Sequence, residues 1–448
     1  MGIDLFGVKA NHSTPAREIA AGLITFSTMA YIICVQPALM SGKLLGIDTG
    51  MPSDALLTTT CVASAFGTIL MGLWARYPFA LAPGMGENFY AVLSLFPICA
   101  AALGASVGDA AVWQLGLGVL FTAGLIFMLL SICRLREMFI TIVAPPMKAA
   151  ISVGIGIFVI FLGLRGAGFI EIGGDTLSMG PLTSPDMGIF LAGFLVTIFC
   201  VSRRIPMGVL AGIVTAAIVA LLLGKIKIDQ VCSIPASPMP IVGKIDLPGV
   251  WHHMARLWPS LFILVFMDLF DTFGTAIAVG RQGGFIRGDQ YPRIERVFLV
   301  DATATMAGSL LGHSTVTCFI ESSAGVAAGG RTGLTSLTVG ILFLLASFFS
   351  PLVLALAGCA PVVAPALVFT GILMLKDIEA IDWSDLSDAV PAFILVMGMA
   401  FTQSIANGIL AGLILYPVVK FLCGKKDQTQ CGQWILSLAL TAYVIFVL

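Results

Sequence analysis

FMDLFDTFGTAIAVG, residues 266–280, sets two carboxylates, Asp268 and Asp271, inside an apolar run long enough to cross a bilayer. Three residues apart, they share roughly one face of a helix. An ionised carboxylate at bilayer depth costs several kcal/mol unless it is paired or wetted, so acids placed this way are candidates for function.

The rest of the chain fits a membrane setting. Of its 448 residues 58% are hydrophobic and 10% charged, against roughly 25% charged in soluble domains, and the mean hydropathy is +1.03. A polytopic membrane protein is expected. A net charge of −1 lacks the basic stripe that a nucleic-acid partner requires. No polar segment is long enough for a second domain, and nothing ahead of the first span reads as a cleavable signal. The ten cysteines are scattered without a C-x-x-C pair, so neither a disulfide nor a metal framework is expected.

Apolar runs at 18–40, 55–74, 111–132, 141–163, 187–202 and 205–223 predict spans one, two and four to seven. The prolines of 225–257 predict an irregular loop. Spans eight and nine follow at 258–280 and 295–311, eleven to fourteen at 333–350, 361–375, 388–404 and 406–423. The third and tenth segments differ. YPFALAPGMGENFYAVLSLFPI (77–98) is broken by Pro78, Pro83, Gly84 and Gly86, and GHSTVTCFIESSAGVAAGG (312–330) is bracketed by glycines. Each leaves too few residues for the roughly 20 of a full crossing. Both read as a short extended piece followed by a half-helix, tolerated at that depth only when buried in protein. The tail at 433–448 suits either the interface or a short extra span.

Broken segments third and tenth in order, seven spans apart, suggest an internal repeat. IPMGVLAGIVTAAIVALLLG (205–224) and IANGILAGLILYPVVKFLCG (405–424) support it, sharing Ile205/Ile405, Gly208/Gly408, Leu210/Leu410, Ala211/Ala411, Gly212/Gly412, Val219/Val419, Leu222/Leu422 and Gly224/Gly424. A unit with an odd number of spans returns inverted, so the expected fold class is all-α, with about 14 transmembrane segments in a 7+7 inverted repeat. With the N-terminus inside, seventeen of the 23 lysines and arginines fall at inner ends, among them Arg134, Arg136, Arg204 and Arg287, and six at outer ends. That is the positive-inside pattern.

The acids gather on the broken segments and span eight. Glu321 falls just past the start of the tenth segment's helix, where free N–H groups favour an anion, and Glu87 and Asn88 hold the matching place in the third. Helix capping would account for one such acid but not for a cluster with no intramembrane Lys or Arg in view. Asn88 offers a donor and an acceptor to a heterocycle. Phe89 fits either stacking on a ligand or plain core. His313 reads as a hydrogen-bonded structural residue, Gln403 and Asn407 as satisfying backbone where spans thirteen and fourteen meet, and Arg331 as an inner-face anchor. DIEAIDWSDLSD (377–388) reads as a solvated connector.

STPAREIAAGLITFSTMAYI (13–32), YPFALAPGMGENFYAV (77–92), LFDTFGT (269–275), STVTCFIESSAGVAAGGRTGLT (314–335) and FTQSIANGILAGLILY (401–416) together resemble the nucleobase:cation symporter-2 (nucleobase/ascorbate transporter) superfamily, in its AzgA-like adenine/guanine/hypoxanthine permease branch. The resemblance implies a core domain (1–137 and 257–350, spans one to four and eight to eleven) and a gate domain (138–256 and 351–448, spans five to seven and twelve to fourteen with the tail). It implies proton-coupled uptake of purine bases by an elevator-like movement, in homodimers, in the cell membrane. The ligand-binding acids fall on Asp271 and Glu321 and the polar position of the third segment on Asn88, with Phe89 and Thr275 beside them. Two residues depart from the family's pattern: Glu87 stands where an apolar residue is expected, and His313 where threonine is.

Secondary active import of a purine base is therefore the leading reading, since purines present N–H donors that a carboxylate accepts. Asp271, mid-helix, is the expected proton carrier, with Asp268 and Glu87 next, and Glu321 the standing acceptor. No cofactor is expected; the coupling ion is a proton, with sodium the other option. An anion transporter of the same 7+7 fold would avoid acids at its site. An enzyme lacks HExxH, GxSxG or clustered histidines. A channel would not accumulate substrate against a gradient.

Overall fold

The computed structural model describes residues 6–133, 142–173, 176–203, 205, 207–286, 291–402 and 404–446. The first apolar run is α1 (Pro15–Met29) and α2 (Ile32–Met40), separated by a turn at Ala30 and Tyr31. Pro15 in the first turn and Thr14, which accepts from the Arg17 N–H, start α1. α3 (Ser53–Leu70) closes in a π-helical turn, Met71–Ala75. Strand β1 (Leu81–Pro83) leads into α4 (Met85–Tyr90), continued through another π-helical turn into α5 (Phe96–Leu103). There follow α6 (Ala110–Ile132), α7 (Pro145–Gly166), the hairpin β2 (Ile170–Gly173) and β3 (Thr176–Met179), α8 (Pro185–Ser202) and α9 (Gly208–Leu222). The second half holds α10 (Leu247–His252), α11 (Met254–Gln282), α12 (Ile294–Leu310), β4 (Val316–Cys318), α13 (Ser322–Ala327), α14 (Gly333–Ala346), α15 (Ser350–Ala357), α16 (Ala360–Met374), α17 (Leu386–Thr402), α18 (Ile405–Leu422) and α19 (Cys431–Phe446).

Among the described residues ten helical runs are long and apolar enough to cross a membrane, and α9, α17 and α19 are shorter apolar helices. The third and tenth segments are strand–helix pieces as expected. The β2–β3 hairpin is an addition that the connector sequence did not signal, and the run begun by α14 continues to Ala357 rather than ending near 350. Arg134, Arg136, Arg204, Arg287 and Gln403 lie outside the described residues, as does the boundary drawn at 137/138.

Lipid cannot satisfy the N–H and C=O groups of a strand. β1 and β4 therefore pair with each other, antiparallel, Leu81 opposite Cys318, Ala82 opposite Thr317 and Pro83 opposite Val316. Phe319 N–H to Ala80 C=O (2.9 Å) and Gly84 N–H to Thr315 C=O (3.0 Å) extend the ladder. Hydroxyls close its outer edges. Thr68 Oγ1 accepts from Leu81 N–H and donates to Leu81 C=O, each at 2.9 Å. Ser322 accepts from Ala80 N–H at 2.9 Å, Thr305 from Val316 N–H at 3.1 Å, and Ser336 Oγ lies 2.7 and 2.8 Å from the Tyr77 and Phe79 carbonyls.

Helices α1, α3 and α14 pack together, as do α6, α11 and α12, while α7 with α16 and α17, α8 with α9, and α17 with α18 make a second set. The two repeat glycines match in setting: a Cβ on Gly212 would fall 2.7 Å from the Gly193 carbonyl of α8, and one on Gly412 2.6 Å from Leu395 Cβ of α17. The tail folds back along α18, Ser437 donating to Ile414 C=O at 2.8 Å, and its Tyr443 hydroxyl reaches Arg256 C=O at 3.1 Å. It thus packs lengthwise on a span instead of lying across its end. The acidic connector is tied down too, since Lys420 of α18 meets Asp388 at 2.9 Å and Lys425 meets Asp385 at 2.7 Å.

A close helix contact made by backbone is testable. A Cβ on Gly333 would stand 1.9 Å from the Gly72 carbonyl oxygen, backbone that cannot rotate away. Gly333→Ala is expected to cost about 1–3 kcal/mol and lower the melting temperature of the purified protein. Gly188→Ala, where a Cβ meets nothing within 4 Å, should leave it unchanged or slightly raised.

Candidate functional site

The ladder sets the site's geometry. Thr317, at its centre, donates to Asp271 Oδ2 at 3.1 Å, so β4 fixes the donor that holds this carboxylate of α11. Asp271 is exposed, although its neighbours one turn away, Asp268 at 1% and Thr275 at 7%, are buried. Glu321 occupies the N-cap position of α13 but caps nothing with its side chain. Instead its Oε1 accepts from the Tyr31 hydroxyl at 2.8 Å. Tyr31 stands at the turn between α1 and α2, where a straight helix would carry its ring elsewhere, and it also faces Thr370 of α16.

Asp271 lies within Coulomb range of both Glu321 and Glu87. Span eight and the two broken segments thus bring their acids into one region. Glu87 is buried, its carboxylate folded over Gly84: a Cβ there would fall 2.2 Å from Glu87 Oε2 and 3.2 Å from Thr317 Oγ1. Glycine at 84 leaves that room.

Asn88 and Phe89 are fully buried. The Asn88 amide oxygen accepts from the Ser314 hydroxyl and its nitrogen lies 3.5 Å from Pro83 C=O, tying α4 to the approach to β4. Phe89 meets Phe158 of α7 edge-on, ring centres 6.4 Å apart. Neither presents surface in this conformation, in contrast to Asp271 and Glu321. His313 is clamped between Gln36 Nε2, 3.1 Å from Nδ1, and Thr59 Oγ1, 2.7 Å from Nε2. With Gln36 as donor, Nδ1 accepts and the neutral ring carries its proton on Nε2. Ser404 caps α18 by accepting from the Asn407 N–H. Arg331 donates to the Val326 and Gly330 carbonyls, and its N–H reaches the buried Glu18 carboxylate at 3.1 Å.

Two residues went unread in the sequence. Asp301, in VFLVDATAT (297–305), is an acid in an apolar run and met the criterion that singled out Asp268; it is fully buried on α12. Tyr31 gave no signal, because an aromatic residue in an apolar span looks like core until the helix break is seen.

Residues 16–411 match the model of the Permease family. Over 428 residues the chain is 37% identical to the guanine/hypoxanthine permease PbuO of Bacillus subtilis, covering 94% of this chain and 95% of that one. Over 440 residues it is 38% identical to the adenine permease AdeP of Escherichia coli, covering 97% and 94%. In fold it is similar to the transmembrane domain of a cyanobacterium bicarbonate transporter, BicA, with a TM-score of 0.62 at 16% identity, covering 87% of this chain and 96% of that one. That fold is of the 7+7 class.

Since Asn88 is used inside the protein, its loss acts through geometry. Asn88→Ala strands the Ser314 hydroxyl and is expected to weaken substrate affinity by roughly 5–30-fold, the equivalent of about 1–2 kcal/mol for one buried hydrogen bond, while the protein still inserts in the membrane. Binding measured on the purified variant checks this; unchanged affinity would mark Asn88 as scaffold alone.

Proposed function

This chain belongs to the Permease family of nucleobase/cation symporter-2 transporters, and from that premise we propose that it imports purine nucleobases together with protons. It is a multi-pass membrane transporter and not an enzyme. The observation that carries the purine reading is the pair of reachable carboxylates, Asp271 and Glu321, each met by a neutral hydroxyl, Thr317 and Tyr31, and not by a cation. Oxygens held in this way keep acceptor capacity for the N–H groups of a planar base. Near-full-length relatives that are named adenine and guanine/hypoxanthine permeases support the same substrate class. Adenine, guanine, hypoxanthine and xanthine all present such donors.

On this reading Asp271, Glu321 and Thr275 line the base, Asn88 and Phe89 shape its pocket from behind, and the coupling proton moves among Asp271, Asp268 and Glu87. The core comprises 1–137 and 257–350, and the gate 138–256 and 351–448. The core slides along the gate, elevator-like, in a homodimer joined through gate helices, with the N-terminus in the cytoplasm and the protein in the cell membrane. The two packed sets of helices support that division, since Asp268 and Asp271 lie on α11 of the first set, and α13, which Glu321 begins, packs against α1 and α11. The anion-transporter reading of the same fold is disfavoured by the carboxylates themselves, which repel an anion.

Uptake of labelled base in proteoliposomes, with unlabelled adenine, guanine, hypoxanthine and xanthine as competitors, tests the reading. Accumulation above the outside concentration that collapses with a protonophore is expected; mere equilibration would mean a channel. Glu321→Gln replaces an ionic acceptor by a neutral one that also bears donors. It is expected to weaken affinity by roughly 10–100-fold, corresponding to about 1.5–3 kcal/mol for hydrogen bonds to a charged group. Normal affinity in that variant would remove Glu321 from the site.

A further inference from the structure

Behind Asp271 lies a second pair of acids. Asp268 and Thr272 are one turn apart on α11, Asp301 and Thr305 one turn apart on α12, so each helix turns an acid and a hydroxyl toward the other. Asp268 is 1% exposed and the other three are sealed. Thr305 Oγ1, which accepts from Val316 N–H, donates to Asp268 Oδ2 at 3.2 Å. Asp301 is faced by Thr272 and Asp268. Yet Asp268 Oδ1, both carboxylate oxygens of Asp301 and the fully buried Thr272 Oγ1 make no hydrogen bond of normal geometry. Four oxygens that make no regular hydrogen bond, three from the acids and one from a hydroxyl, face one another between two helices.

Two like charges out of water cost several kcal/mol each unless something positive lies between them. No lysine or arginine among the described residues makes an ion pair with either acid. The titratable groups facing the pair are Asp271 on α11, Glu87 from α4 and Cys318 from β4. α6, packed against both helices, brings Phe127 against Leu269, Phe298 and Ala302 and Gly124 against Thr305, and carries no titratable side chain. Lys148 of α7 stands over the Phe270 ring at 5.8 Å and pairs with none of them. Carboxylate and hydroxyl oxygens are hard ligands, suited to a proton or an alkali cation and not to a thiophilic metal.

We propose that Asp268, Asp301 and Thr272 form a monovalent-cation site, holding one proton or one sodium ion, set behind Asp271 and reached through it. The proposal rests on the reading of Asp271 as the substrate-facing acid. A cation bound there neutralises the field one turn below Asp271, so the base loads into a less repulsive site, and loss of the cation on the other side releases it.

The melting temperature of the purified full-length protein reads this site without any purine. Titrating NaCl against choline chloride at fixed pH, and pH at fixed salt, separates sodium from proton. The wild type is expected to gain stability with one of the two ions; Asp301→Asn should lose that gain, and Thr272→Val, which keeps both acids, should shift its midpoint by roughly 3–10-fold, about 1 kcal/mol for one hydroxyl contact. The same dependence in wild type and Asp301→Asn for both ions would overturn the site. In proteoliposomes Asp301→Asn should still exchange labelled base but lose accumulation driven by an imposed ion gradient. Retained gradient-driven accumulation would place the cation elsewhere. Wild-type protein with an ion-dependent melting temperature that Asp301→Asn abolishes, but with no exchange of any purine base, would support the cation site and overturn the purine reading.

Discussion

A ladder of three residue pairs in a bilayer interior survives only if neither edge is left bare. Here each edge group named above meets a hydroxyl, and those hydroxyls come from α3, α12, α13 and α14. An unmet backbone group at that depth costs about 1–3 kcal/mol or more, so four helices are held in register with β1 and β4. Pro83, which has no N–H, needs one partner fewer. The same ladder aims Thr317 at Asp271 and brings both half-helices to one place. What closes the backbone also builds the site.

The protein treats its buried charges in two ways. On the second set of helices Lys420, 3% exposed, is met by Asp388 at 2.9 Å and by Asp385 at 3.7 Å. There the charges are settled inside the protein, and the contact fastens the acidic connector to α18. Among the described residues no lysine or arginine plays that part around α11, and the donors to Asp271, Glu321 and Asp268 are hydroxyls. A carboxylate left short of positive charge is costly to hold. A carrier whose energy depends on what it holds is the physical basis of coupled transport.

Much of this was legible in the chain. Apolar runs marked most spans, prolines and glycines marked the two broken segments, and Asp268, Asp271, Glu87 and Glu321 stood out because acids are scarce at bilayer depth. Asp301 satisfied the same rule. The β2–β3 hairpin was not legible, since strands of four residues are too short to carry an apolar period that would betray them. Nor was the role of Tyr31, which depends on a turn at Ala30 that no proline or glycine announces.

The sequence by itself determined the membrane class, the order of the apolar spans and broken segments, and the inverted pairing of halves, because hydropathy and chain breakers act locally and the repeat survives as shared residues. Tertiary structure alone decided which polar groups meet. Thr317 with Asp271, Tyr31 with Glu321, Ser314 with Asn88 and Gln36 with His313 join residues 46, 290, 226 and 277 positions apart. No local pattern encodes such a contact: it follows from two helices and a ladder packing in one register, and a shift of one turn in any of them would exchange the partners.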